Sequence, residues 1–149
     1  SLWDCAIASL VNQGQNQLIS GQNPPLLGSG HPNLVPYQAF KTKDGWVVIA
    51  VGSDSQFEKL CNALKLDNIW KTNQERVNSR EKLVEVIQSK TIDLTRDEVC
   101  NLLQGIPTSP INKISEAFDD IQSKARGVIQ NWNGNPVLAS PLRFISERE

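Results

Sequence analysis

Apolar residues Ile7, Leu10, Val11 and Leu18 fall near one face of a helix running from Leu2 to about Ser20, with Gly21 as its stop. Gly21 to Pro36 then breaks the pattern with repeated Gly and Pro, and is long enough to be a linker. Alternation begins after it. Tyr37 to Phe40 and Trp46 to Val51 read as two strands joined at Lys43-Asp44-Gly45, where Asp-Gly supplies the turn. Val47, Ile49 and Val51 share one face and Val48 and Ala50 the other, so burial is expected on both sides.

Helical periodicity follows. Ser53-Asp54-Ser55-Gln56 has N-cap character, and Phe57, Leu60, Cys61 and Leu64 recur at i, i+3, i+4, i+7 as a core-facing stripe. Asn78 with Glu81 predicts a second helix start, carrying Leu83, Val86 and Ile87. Thr95 with Glu98 predicts a third, carrying Val99, Leu102 and Leu103 and ending at Gly105. Pro107 to Pro110 reads as a loop and Ile114 to Asp120 as a short helix. Val128 to Trp132 and Pro136 to Leu138 read as a hairpin about Asn133-Gly134-Asn135, and Leu142 to Ile145 as a last strand. The element order is α/β, with an α+β small domain: a small mixed or antiparallel sheet and several helices. The leading helix has an apolar face but no strand beside it in sequence, so it is expected to pack outside this segment.

Composition narrows the function. With 15 basic and 16 acidic residues, no positive surplus exists to neutralise a phosphate backbone, which disfavours nucleic acid as a partner. The longest apolar runs, such as Trp46 to Val51, are too short to span a membrane, and no secretory pattern opens the chain as presented. Cys5, Cys61 and Cys100 are odd in number and lack metal-ligand spacing. Cys61 and Cys100 lie on apolar helix stripes, which implies buried thiols in an intracellular, reducing compartment. With one His, no metal site is expected. The chain has no Met and opens directly in a helical pattern, so a segment of something longer is expected.

Specific motifs enter at the linker. Gly28-Ser-Gly-His-Pro-Asn-Leu-Val-Pro-Tyr-Gln-Ala-Phe40 resembles the loop-and-strand signature of the family III CoA-transferases. So does Asp44-Gly-Trp-Val-Val-Ile-Ala-Val-Gly-Ser-Asp-Ser-Gln-Phe57. Thr72-Asn73 with Arg76-Val77 and Arg80 is similar to the family's Thr-Asn, Arg-Val, Arg segment. Gly105-Ile-Pro-Thr-Ser-Pro-Ile-Asn112 resembles its Gly-Val-Pro-x-Gly-Pro-Ile-Asn loop, with Ser109 in place of a Gly. Ser1-Leu-Trp-Asp4 and Ser140-Pro-Leu-Arg-Phe144 resemble its helix start and return segment.

That resemblance implies an interlocked homodimer. Each chain would have a Rossmann-like large domain built from both chain ends and a small domain inserted between them. It implies a division here into a large-domain helix (1–21), a linker (22–35), the small domain (36–120) and a return segment (121–149). It implies transfer of CoA from an acyl-CoA to a small carboxylic acid through an aspartyl-CoA thioester. The nucleophilic Asp would lie upstream of Ser1, so no catalytic residue is expected in this segment. CoA and acyl-CoA would be substrates, with no permanently bound cofactor. An α-methylacyl-CoA racemase-like enzyme and a non-catalytic binding or assembly module are the competing readings, and the Ser-Asp-Ser-Gln-Phe run favours the transferase branch.

The substrate-loop candidates are Gly28, Gly30, His31, Tyr37 and Asp54. Gly28 and Gly30 occupy the place of the family's mobile glycine loop, or else only let the linker turn. His31 is either a group near the acyl or CoA moiety or an ordinary loop His. Tyr37 either lines the acyl pocket or packs at the strand edge. Asp54 either lines the acid/base site, as a Glu does in the racemase branch, or serves the helix start electrostatically.

Overall fold

The computed structural model describes residues 1–142. Two compact units divide the chain, residues 1–111 and 112–149.

The first unit opens with two helices rather than one. α1 (Leu2–Ala8) and α2 (Val11–Ser20) are separated at Ser9 and Leu10, and Val11 enters α2 with φ +47°. Ser9 donates its hydroxyl to the Ala6 carbonyl at 2.7 Å, a local bond that competes with continuing the helix. Leu2, Trp3, Val11, Leu18 and Ile19 are exposed, and neither helix buries a residue.

β1 (Tyr37–Lys41) and β2 (Trp46–Ala50) form the expected hairpin, with Phe40 opposite Val47. Val47, Ile49 and Val51 are fully buried while Val48 and Ala50 are half-buried, as the two-faced pattern requires. The predicted Pro107–Pro110 loop is instead a third strand. β3 (Thr108–Pro110) pairs antiparallel with β2 and completes a sheet in the order β1-β2-β3. Proline is tolerated there because β3 is an edge. Among the described residues all pairings are antiparallel, the second of the two sheet options the sequence left open.

α3 (Asp54–Leu64) buries the predicted stripe of Phe57, Leu60, Cys61 and Leu64. Ser53 caps it by accepting from the Gln56 N–H at 3.2 Å. The Gln56 side chain reaches the Gly52 N–H at 2.8 Å rather than that of Ser53, so the reciprocal box is incomplete. A short helix that the apolar pattern did not announce follows. α4 (Asn73–Asn78) starts with a full capping box from Thr72 and Glu75. Asn78 therefore ends a helix, and Ser79 precedes α5 (Arg80–Thr91), which buries Leu83 and Ile87. α6 (Arg96–Leu102) has the predicted Thr95–Glu98 box and buries Val99, with Leu103 buried just beyond it. Leu102 faces out. The core joins β1 and β2 to α3, α5 and α6 through Phe40, Ile49, Phe57, Leu60, Leu83, Ile87 and Val99.

The second unit holds α7 (Ile114–Asp119), α8 (Ile121–Arg126) and the hairpin β4 (Ile129–Trp132) and β5 (Asn135–Leu138). Asn133 and Gly134 both take positive φ, +51° and +85°, as a two-residue turn matched to strand twist demands. Residues 143–145 of the predicted Leu142–Ile145 strand and the end of the Ser140–Phe144 segment lie outside the described residues.

Candidate substrate-loop site

Four of the five candidates lie on one continuous stretch. Gly28 turns with φ +57°. Ser29 Oγ accepts from the Ala39 N–H at 3.1 Å, hooking the loop to β1. Gly30 donates its N–H to the Leu27 carbonyl at 2.9 Å, so close that a Cβ at Gly30 would stand 3.0 Å from that oxygen. His31 donates its N–H to the Tyr37 carbonyl at 2.9 Å and stacks its ring on Tyr37, with centroids 5.2 Å apart and planes 20° from parallel.

Three side chains behind the loop hold its backbone. Arg80 sends Nη2 to the carbonyls of His31 (2.9 Å) and Pro32 (2.8 Å). Asn73 donates Nδ2 to the Asn33 carbonyl at 2.7 Å and accepts from the Val35 N–H at 3.3 Å. Arg76 donates Nε to the Val35 carbonyl at 2.8 Å. These residues start α4, lie within it and start α5, at i, i+3 and i+7. Backbone polar groups in an irregular segment need such partners. Helical spacing puts Asn73 and Arg76 along one side of α4, and Arg80 follows as the first residue of α5. The Thr72…Glu75 box was the signal that could have revealed this helix start from sequence.

Asp54 is reached through Arg76. Arg76 is 1% exposed, its Nη1 donates to the Trp70 carbonyl at 3.3 Å, and its Nη2 donates to Asp54 Oδ1 at 2.6 Å. The guanidinium also lies 4.5 Å from the Phe57 ring centroid. Asp54 thus balances a buried cation. Burial lowers the pKa of Arg80, whose Nη1 is buried without a partner.

Burial also raises the pKa of the Cys61 and Cys100 thiols, which disfavours the reactive thiolate at both. Cys61 is buried as expected, Cys100 is half-buried and Cys5 is exposed. Among the described residues no cluster of His, Cys, Asp and Glu could hold a metal, and no helix is long and apolar enough to cross a membrane.

The family model of CoA-transferase family III matches residues 1–148. The chain belongs to this family. Among its relatives, the succinate–glutarate CoA-transferase of Agrobacterium fabrum is 38% identical over 135 residues, covering 86% of this chain and 34% of that protein. The succinyl-CoA:glutarate CoA-transferase of Mus musculus is 32% identical over 140 residues, covering 89% of this chain and 32% of that protein. A CAIB/BAIF family protein from Brucella suis superposes with a TM-score of 0.79 at 38% identity, covering 97% of this chain and 40% of that one. The chain therefore spans about a third of the length of these curated CoA-transferases. The fold described above matches part of the fold of that CAIB/BAIF family protein.

Proposed function

We propose that this chain is the central, small-domain segment of an enzyme that moves CoA from an acyl-CoA to a small carboxylic acid. The observation that carries the reading is its 38% identity to a protein named a succinate–glutarate CoA-transferase, together with a glycine loop fastened on both sides. The names of the relatives suggest succinyl-CoA as donor and a short dicarboxylate such as glutarate as acceptor.

The chemistry divides one exchange into easier steps. A carboxylate of an Asp outside this chain attacks the thioester carbon and expels CoA as thiolate, leaving an aspartyl–acyl anhydride. The thiolate attacks the aspartyl carbonyl, releasing the first acid and forming aspartyl-CoA. The second acid repeats the sequence in reverse and leaves with CoA. Each tetrahedral intermediate carries an oxyanion that preorganised donors stabilise. The role we assign to the Gly28–His31 loop is to border that chemistry, where residues without side chains let the backbone come close. We assign Tyr37 to the acyl pocket and Asp54 to the support of Arg76.

In the same reading, residues 1–21 belong to the large domain, 22–35 are a linker, 36–120 the small domain and 121–149 the return segment. The complete enzyme is an interlocked homodimer. The engagement of Asp54 with Arg76 favours this reading over racemase chemistry, in which that carboxylate would have to face the substrate as acid or base. Incubating the full-length gene product with succinyl-CoA and a panel of free acids tests it. Formation of glutaryl-CoA is the expected result, and succinyl-CoA unchanged beside every acid would reject it.

A further inference from the structure

We infer that His31 is a substrate-binding residue whose Nε2–H holds an oxygen of the acceptor acid's reacting carboxylate, the group that succinyl-CoA presents instead as a thioester. This rests on the CoA-transfer reading above.

His31 is fixed on every side but one. Its N–H goes to the Tyr37 carbonyl (2.9 Å), its carbonyl accepts from Arg80 Nη2 (2.9 Å), and its ring lies on the Tyr37 ring. Its Nδ1 accepts from the Asn33 N–H at 3.1 Å. A backbone N–H can only donate, so Nδ1 must present its lone pair. In the neutral ring the proton then resides on Nε2. That leaves Nε2–H as a donor of set identity and direction, and neither it nor the Tyr37 hydroxyl has a partner among the described residues. Folding the loop needs Nδ1, the ring face and the backbone of His31. It makes no use of Nε2.

The ligand follows from the charges. Two guanidinium groups bond to this stretch, Arg80 at the His31 and Pro32 carbonyls and Arg76 at the Val35 carbonyl, and Arg80 is the one that holds His31 itself. An open donor backed by a cation suits an acceptor-only anion, and the anion that CoA transfer brings to the site is a carboxylate. Prior attachment of His31 on its other sides lowers the ordering cost of that contact.

The test uses the full-length gene product and two variants that split the ring. His31→Asn keeps an acceptor near the Nδ1 position and removes the Nε2 donor. His31→Gln restores an N–H near the Nε2 position. One lost hydrogen bond to a charged group corresponds to about a tenfold or greater change. His31→Asn is therefore expected to raise KM for glutarate by about that factor with KM for succinyl-CoA unchanged, and His31→Gln to recover most of it. Nitrogen-15 spectra of the wild-type imidazole should show Nε2 moving on addition of glutarate and staying put with glutaramide.

An unchanged glutarate KM in His31→Asn would overturn the proposal, as would an equal rise in KM for both substrates, which marks a loop defect. If the wild type exchanges no CoA with any acid, the transferase reading fails by itself. The imidazole titration then decides alone: a shift specific to glutarate sustains the donor and no shift removes it.

Discussion

Oδ1 of Asp54 sits 2.6 Å from Nη2 of Arg76, joining the first turn of α3 to a buried arginine side chain. The two other donors that Arg76 uses go to the carbonyls of Val35 and Trp70. One side chain thus ties the linker, α3 and the segment before α4 together. Truncating it leaves those carbonyls and a carboxylate without their partner.

Arg76→Ala leaves the Val35 and Trp70 carbonyls without their donor, at about 1–3 kcal/mol for each buried group, and is expected to destabilise the fold more than any change at Asp54. Asp54→Ala removes the counterion, but Asp54 is itself more than half exposed and water replaces part of the bond. A smaller loss of about 1–3 kcal/mol is expected. Urea unfolding of both variants gives the order. Equal stability of Arg76→Ala and wild type would contradict the hub.

Acid should weaken the β1–β2 turn and the start of α6. Asp44 is held below its usual carboxylate pKa by the Arg96 N–H, and Glu98 by the Thr95 N–H. A carboxylate with a depressed folded pKa contributes stability above its unfolded value, and that contribution disappears as pH falls through the folded value. Stability should therefore fall below about pH 4. Asp44→Asn should flatten that acid limb without altering the slope above pH 6, as thermal melts across the range would show.

Gly30→Ala places a methyl 3.0 Å from the Leu27 carbonyl oxygen, a backbone atom with little room to retreat. The loop must shift, at about 1–3 kcal/mol for an overpacked site. We expect a lower melting temperature together with a larger fall in CoA exchange by the full-length gene product. Unaltered exchange would separate the loop from the chemistry.

The thiols should react in the order Cys5, Cys100, Cys61. Cys5 is exposed, Cys100 half-buried and Cys61 buried. Burial raises the pKa of the latter two and so lowers their thiolate fraction. Timed alkylation of the 149-residue chain followed by peptide mapping would show it, and rapid labelling of Cys61 in the native state would contradict the packing of α3.

Local rules exposed much of this architecture. The Phe57–Leu60–Cys61–Leu64 stripe, the Thr95–Glu98 box and the hairpin turn are each set by neighbours a few residues apart; the first two stand as their patterns imply, and the turn is one residue shorter than Asn133-Gly134-Asn135 because Asn135 pairs with Trp132. The misses arose where distant groups decide. Thr108–Pro110 is a strand because β2 offers it an edge, which no property of a proline-rich tripeptide reveals. The break before Val11 depends on a serine bond to Ala6 that competes with a weakly helical sequence. Family motifs pointed to Arg76 and Arg80 as a pattern. Their work, one buried against Asp54 and one holding the His31 carbonyl, depends on residues 22 and 49 positions away.

The central claim is CoA transfer, and one incubation tests it most directly. The full-length gene product would be placed in D₂O with succinyl-CoA, a branched 2-methylacyl-CoA and free glutarate, and products followed by mass spectrometry. The account predicts glutaryl-CoA with no deuterium at the α-carbon. Deuterium at the α-carbon of the branched ester without exchange of CoA would contradict it.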